Sequence, residues 1–246
     1  MIKSPMVIFT DNKELFKPIR DSFGMENLTV YVETSLKALT TTKTYIKSIQ
    51  DKLHMDIERY VNNPELYALW YAKPEMVSRA VKLNPFGTQK YMWIDIGCIR
   101  DGPLKSNNWP SKARERFLGY KKTILLQGTG GQSDICRNIN SRHGMYRTRI
   151  PTDDNLPEIT DVTQLDEYKA RVSIAGSMFG GDSEVLLWFA EIYFKEIGNY
   201  LNAKKQTVLM SDQFLSYAVA CKYNQSIEVI IPDNSNTWNY LHDYLS

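Results

Sequence analysis

Helical and extended patterns alternate along this 246-residue chain, which predicts an α/β fold with a mixed, mostly parallel sheet flanked by helices. Three observations carry the prediction. Short apolar runs that end in turn residues recur at 5–9, 28–32, 90–96, 123–127, 171–175 and 227–231. Segments with apolar residues at three- and four-residue spacing lie between them. No internal repeat or low-complexity stretch interrupts the pattern. The length suits one large α/β domain or two small ones, and we read residues 1–246 as a single domain.

Taken in order, Pro5–Phe9 reads as a short buried strand closed by Thr10-Asp11-Asn12, and Leu28–Val32 as a second strand rich in β-branched residues. Residues 43–61 and 65–83 have helical spacing. Pro64 suits a first helical turn, whereas Pro74 predicts a kink or a division into two helices. Strand 90–96 follows, then a polar loop with Pro103 and Pro110, then strand 123–127. Residues 128–170 show little periodicity, and a loop of that length inside a domain is usually functional or mobile. A strand at 171–175 runs into Gly176, and 182–203 is the strongest helical pattern, with Asp182 or Ser183 as its cap and Glu184 in its first turn. A helix over 211–222 capped by Ser211 and a strand at 227–231 complete the set.

An apolar fraction of 43% is enough for a sizeable core, and a net charge of +2 argues against nucleic acid or an anionic membrane as partner. No apolar run approaches the roughly 18 residues of a membrane span. The N-terminal MIKSPMVIF is too short in apolar residues for a secretory signal. Cys98, Cys136 and Cys221 are odd in number and widely spaced, which argues against a disulfide framework and for a reducing, cytoplasmic setting. The sequons at Asn27 and Asn224 carry no weight there.

The most informative segment is KYMWIDIGCIRDG at 90–102. An apolar strand delivers one carboxylate, Asp95, to the rim of a sheet just before Gly97. Ligands of open α/β sheets bind at the carboxyl ends of the strands, and a hard divalent cation carrying phosphate oxygens would suit that acid. A helix cap or a solvated turn carboxylate explains it equally well. Three other features should meet the same edge: Thr10-Asp11, the glycine-rich IAGSMFGG, and Ser211-Asp212-Gln213. IAGSMFGG matches neither a Walker loop nor the dinucleotide fingerprint. Read as a strand-to-helix turn, it would let backbone approach a ligand or simply turn the chain. Asp212 is a candidate base or hydroxyl ligand, or a carboxylate favoured by a helix dipole. Lys73 and Arg79, on the helix before the Asp95 strand, could offset a diphosphate or be plainly solvated. His54, His143 and His242 are scattered, so a structural zinc site is not expected, though His242 could complete a metal shell with Asp95. Cys98 reads as a buried thiol. Asp11 lacks the second acid two residues on that an aspartyl phosphatase needs, since Lys13 stands there.

PMVIFTD at 5–11, YALWYAKP at 67–74, YMWIDIGCIR at 91–100, IAGSMFGG at 174–181 and SDQFLSYA at 211–218 together resemble the HtrL/YibB family in order and spacing. Members of that family look like GT-A glycosyltransferases. The resemblance implies a Rossmann-like nucleotide-binding sheet and transfer of a sugar from a nucleotide-sugar donor, expected to be a UDP-sugar. The acceptor would be a glycan or another hydroxyl compound, and Mn²⁺ or Mg²⁺ would assist. It implies that Asp95 takes the place of one acid of the metal-binding Asp-x-Asp motif, with Gly97 standing where the second would be and Asp101 or His242 left to complete the shell. It places Ala175 and Gly176 in the loop around the donor sugar, Asp212 and Gln213 near sugar and acceptor, and Lys73 near the donor; Thr10, Asp11, Arg79, Ser177, Gly180 and Gly181 are further substrate-binding candidates. Two alternatives stand beside it: a module of the same fold that binds a nucleotide-sugar or glycan without transfer, and a nucleotidyltransferase, which would want a basic glycine-rich loop that PMVIFTDN lacks.

Overall fold

The computed structural model describes residues 4–56, 59–96, 117–128, 174–202, 209, 211–230 and 241. Most of the 128–170 stretch lies outside those residues, as do Gly97, Cys98, Asp101, Cys136, His143 and His242. The chain begins with strand β1 (Met6–Thr10), helix α1 (Lys13–Asp21) and strand β2 (Thr29–Glu33). Helix α2 (Thr40–Lys52) is shorter than its spacing predicts because a 3₁₀ turn at Leu53–Met55 ends it. The predicted break at Pro74 is real. Helix α3 (Pro64–Tyr71) stops at Ala72, and α4 (Lys73–Leu83) restarts with Pro74 in its first turn, where a missing N–H costs nothing. Asn63 caps α3 by accepting the Leu66 N–H at 2.8 Å, and Asn84 ends α4 in the left-handed region at φ 39°.

Strands β3 (Lys90–Ile94), β4 (Ile124–Gly128) and β5 (Ile174–Asp182) follow, then helices α5 (Ser183–Leu201) and α6 (Asp212–Lys222) and strand β6 (Ile227–Ile230). The protein is therefore mixed α/β, as its alternating pattern predicts, but parallel pairing does not dominate. β1 and β2 pair in parallel as a two-stranded sheet. The larger sheet has the order β3-β5-β4-β6, with β5 antiparallel to both neighbours and β4 parallel to β6. Alternation of elements along a chain does not fix the order of strands across a sheet.

The glycine-rich stretch is also not the turn that its composition suggests. IAGSMFGG is extended throughout and lies inside β5. Gly180 and Gly181 serve the sheet itself. A methyl group on Gly180 would lie 2.8 Å from the Tyr91 carbonyl oxygen, and one on Gly181 would lie 2.7 Å from that of Thr123. β5 also carries an irregularity: Leu126 pairs with Phe179 while Gln127 pairs with Ala175, which leaves Gly176, Ser177 and Met178 unmatched on that side. Such bulges bend a strand and re-aim its backbone.

Side chains of a strand alternate between its faces, and the two faces of this sheet have different cover. Tyr91, Trp93, Ile124, Leu126, Phe179, Ile227 and Val229 belong to the main core with residues of α2, α3, α4, α5 and α6. Met92, Ile94, Leu125, Met178 and Ile230 meet Phe117, Tyr120 and Leu241 on the other face. The small sheet joins this body through Phe9, which packs with Trp93 against Leu39, Ala72 and Met76. No helix of the described residues is long and apolar enough to cross a membrane.

Two of the predicted helix caps have other duties. The Asp182 carboxylate bonds Lys90 Nζ at 2.9 Å and accepts the Lys122 N–H at 2.6 Å, so it makes no side-chain cap to α5. Ser211 likewise makes none to α6. The N-terminus of α2 is held instead by a residue from α4: Glu75 accepts the N–H groups of Thr40 and Thr41, each at 2.8 Å. Burial works against its charge, but these N–H groups and Arg79 outweigh that and hold its carboxyl below the usual range. Glu75→Ala should cost about 1–3 kcal/mol of stability, the loss of a cap plus charge-assisted bonds. Urea unfolding checks this, and a change below about 0.5 kcal/mol would place it with ordinary surface substitutions.

Candidate functional site

The period of two along β3 puts Asp95 on the same face as Trp93, the face that the helices cover. The antiparallel ladder runs one residue beyond the strand, with the Asp95 N–H donating to the Ser177 carbonyl at 2.9 Å. Lys73, the first residue of α4, meets that carboxylate: its Nζ donates to Asp95 Oδ2 at 2.9 Å. The same ammonium donates to Asp212 Oδ2 at 2.7 Å and to the Gly176 carbonyl oxygen at 3.0 Å. All three donor directions of an ammonium are thereby used. The bulge in β5 supplies the third acceptor, because it frees Gly176 from the ladder with β4.

Asp212 opens α6 and is held from several sides. Its Oδ1 accepts the Gln213 N–H at 3.0 Å, and its carbonyl accepts the Tyr193 hydroxyl at 3.2 Å. Gly176 has no side chain for a reason visible here: a methyl group on it would lie 2.4 Å from Asp212 Oδ2. Asp95 differs from the other two charged members in exposure. Its side chain is 31% accessible, against 7% for both Lys73 and Asp212. Its Oδ1 accepts the Trp93 indole N–H at 2.6 Å.

The electrostatics follow from this packing. Burial works against the Lys73 ammonium, but Asp212 and Asp95 outweigh it, so the lysine titrates above its usual range and stays charged. Burial pushes the Asp212 carboxyl up, and Lys73 brings it only part of the way back.

The sequence candidates divide accordingly. Lys73, Asp95, Gly176 and Asp212 meet directly; Ser177 joins through its backbone, and Gln213, half-buried, through its N–H. Ala175 is buried in the ladder with β4, and Gly180 and Gly181 serve strand contacts. Arg79 turns away from the cluster and donates to Glu75 Oε1 at 2.6 Å, one helical turn earlier. Thr10 is used locally: its Oγ1 accepts the Asn12 N–H at 3.0 Å and its carbonyl accepts the Thr34 N–H at 2.9 Å, with Asp11 exposed beside it. Gly97 and His242 lie outside the described residues. Trp93 is the member that motif reading missed, since an aromatic in an apolar strand carries no mark of a polar duty. The one available signal was its place two residues before the acid.

Among the described residues no group of three or more His, Cys, Asp or Glu is placed to hold a metal ion. The donor set still suits a hard cation in one way. Asp95 is a part-exposed carboxylate at the end of β3, and Mg²⁺-type ions commonly use one or two carboxylates together with substrate phosphates. Comparisons with protein-family models, curated proteins and solved structures gave no match to this chain. What fold and site define together is a mixed α/β protein with an acid–lysine–acid cluster at the carboxyl end of β3, the outer strand of the larger sheet among the described residues.

Removing Lys73 tests whether the cluster is charged as described. Lys73→Met should destabilise the protein by about 3–5 kcal/mol at pH 8, because Asp212 would be left buried without its counter-charge. Its carboxyl would then rise further. Stability tied to a raised carboxyl is present below its ordinary value and lost as pH rises through the raised one. The deficit should therefore shrink at pH 5. Guanidinium unfolding of both proteins at the two pH values measures it, and an equal deficit at both would mean that Asp212 is not the burdened group.

Proposed function

We propose that this chain is a glycosyltransferase of the GT-A kind, moving a sugar from a nucleotide-sugar donor to a hydroxyl acceptor with help from Mn²⁺ or Mg²⁺. The observation that carries the reading is the part-exposed Asp95 at the carboxyl end of β3, braced from below by Lys73 and Asp212. Four of the five family-like segments supply the members of this cluster, with Asp95, Gly176 and Asp212 lying 22, 103 and 139 positions from Lys73.

Breaking the bond between the anomeric carbon and phosphate builds negative charge on the departing diphosphate. A divalent cation on Asp95 would supply Lewis-acid charge there. The residues present would do the rest. Lys73 holds Asp95 Oδ2 and thereby fixes the direction of its outward lone pairs. Asp212 keeps the ammonium in place and, against Gly176, sets the backbone of β5. This gives Asp212 a positioning duty. An acceptor hydroxyl would have to reach a 7% accessible carboxylate to use it as base. That burial favours one alternative, a module of the same fold that binds nucleotide-sugar without transfer.

Thermal melting with UDP, GDP and ADP, each with and without Mn²⁺, tests the shared part. A ligand bound to the folded state alone adds about 2.7 kcal/mol at a hundredfold excess over its Kd. We expect one nucleotide to raise the midpoint in the presence of metal, and Asp95→Ala to abolish the shift. Release of nucleoside diphosphate from the matching nucleotide-sugar would then mark a transferase; binding without release would mark the module. No shift with any nucleotide would end the donor-site reading.

A further inference from the structure

We infer that Trp93 is a positioning residue for Asp95, and that its indole N–H, not its bulk alone, is needed for the site to hold a metal–diphosphate ligand. The inference rests on the transferase reading and goes beyond it, since nothing in that reading requires a donor on this side of Asp95.

An indole N–H donates and cannot accept. Here it donates to a carboxylate at 2.6 Å, the short distance of a charge-assisted bond. The direction of that bond is set by packing. Trp93 stacks on Phe179, its partner across the β3–β5 ladder, with ring centroids 6.4 Å apart and an interplanar angle of 20°. It also packs with Phe9 and Leu36 against Leu39, Ala72 and Met76. A ring held on both sides cannot follow a carboxylate that rotates, so Asp95 must come to the ring. With Lys73 on Oδ2 and Trp93 on Oδ1, each carboxylate oxygen is fixed by one inward donor. The lone pairs that remain belong to the accessible side. Phenylalanine would fill most of the same apolar space; what tryptophan adds at position 93 is the N–H. Partners of this kind, which orient a metal-binding carboxylate from behind, typically change metal affinity or activity by about 10–100-fold when lost.

The experiment is calorimetric titration of the full chain with UDP, GDP and ADP in Mn²⁺, for wild type, Trp93→Phe, Asp95→Asn and the double variant, with a thermal midpoint for each. Trp93→Phe should keep a cooperative transition and weaken the best-binding nucleotide–Mn²⁺ pair by about tenfold or more. In the Asp95→Asn background the same change should add no further loss, because Trp93 acts through that carboxylate. Equal binding by wild type and Trp93→Phe would overturn this inference alone. So would an undiminished loss in the Asp95→Asn background, which would mean that the ring touches ligand or merely packs. Should Trp93→Phe fail to fold, the Trp93 indole N–H resonance of the wild-type chain decides: it should move upfield in Asp95→Asn, and an unmoved resonance overturns the inference. Absence of binding by the wild type would bring down the transferase reading and this inference together.

Discussion

The arrangement depends on one buried ammonium. Taking Lys73 out of water costs several kcal/mol, and burying Asp212 beside it costs a comparable amount. Against this stand charge-assisted bonds to Asp95 and Asp212 and a bond to the Gly176 carbonyl. In a buried ion pair such attraction and bonding only about repay the desolvation. The cluster therefore adds little to stability when complete and is intolerant of losing a member. That asymmetry makes geometry, rather than binding energy within the protein, its product. It fixes the start of α4, the end of β3, the start of α6 and the bulge of β5 relative to one another.

Helix α4 joins this cluster to the rest of the fold. Lys73 at its first position faces the sheet, while Glu75 two residues later takes the free N–H groups of α2 and draws Arg79 to itself. One turn of helix thus directs one cation into the site and keeps a second out of it. Pro74 between them stands where a helix can accept proline, and the break at Ala72 lets α3 approach from another direction.

Local chemistry was legible in the sequence. The apolar run before Asp95, the prolines at 64 and 74 and the long helix after Asp182 all follow from short-range rules. The meeting of Asp95, Gly176 and Asp212 was legible because separate segments were each read as reaching the same sheet edge; Lys73 was read only as a cation near a diphosphate, and Thr10-Asp11, expected at that edge, is engaged with Asn12 and Thr34 instead. What was not legible is what depends on pairing between distant strands. The antiparallel insertion of β5 between β3 and β4 turns a glycine-rich segment that reads as a loop into a strand, and its glycines answer to neighbouring carbonyls. Trp93 looked like core because it is core, and only the position of its N–H separates it from the other aromatics. Arg79 and Lys73 are alike in sequence context, and a glutamate one turn away decides between them.

The order in which the cluster's members are synthesised has a consequence of its own. Asp95 follows Lys73 by 22 residues, Gly176 by 103 and Asp212 by 139. At roughly 5–20 residues per second, about 7–28 s separate the lysine from its last partner. Through that interval the ammonium has one carboxylate within reach, too little to leave water. The buried start of α4 cannot settle until the residues of α6 have emerged from the ribosome, so a chain arrested before them keeps a hydrated lysine where the finished protein has a wall. Completion of the core and completion of the site are then a single event on the growing chain.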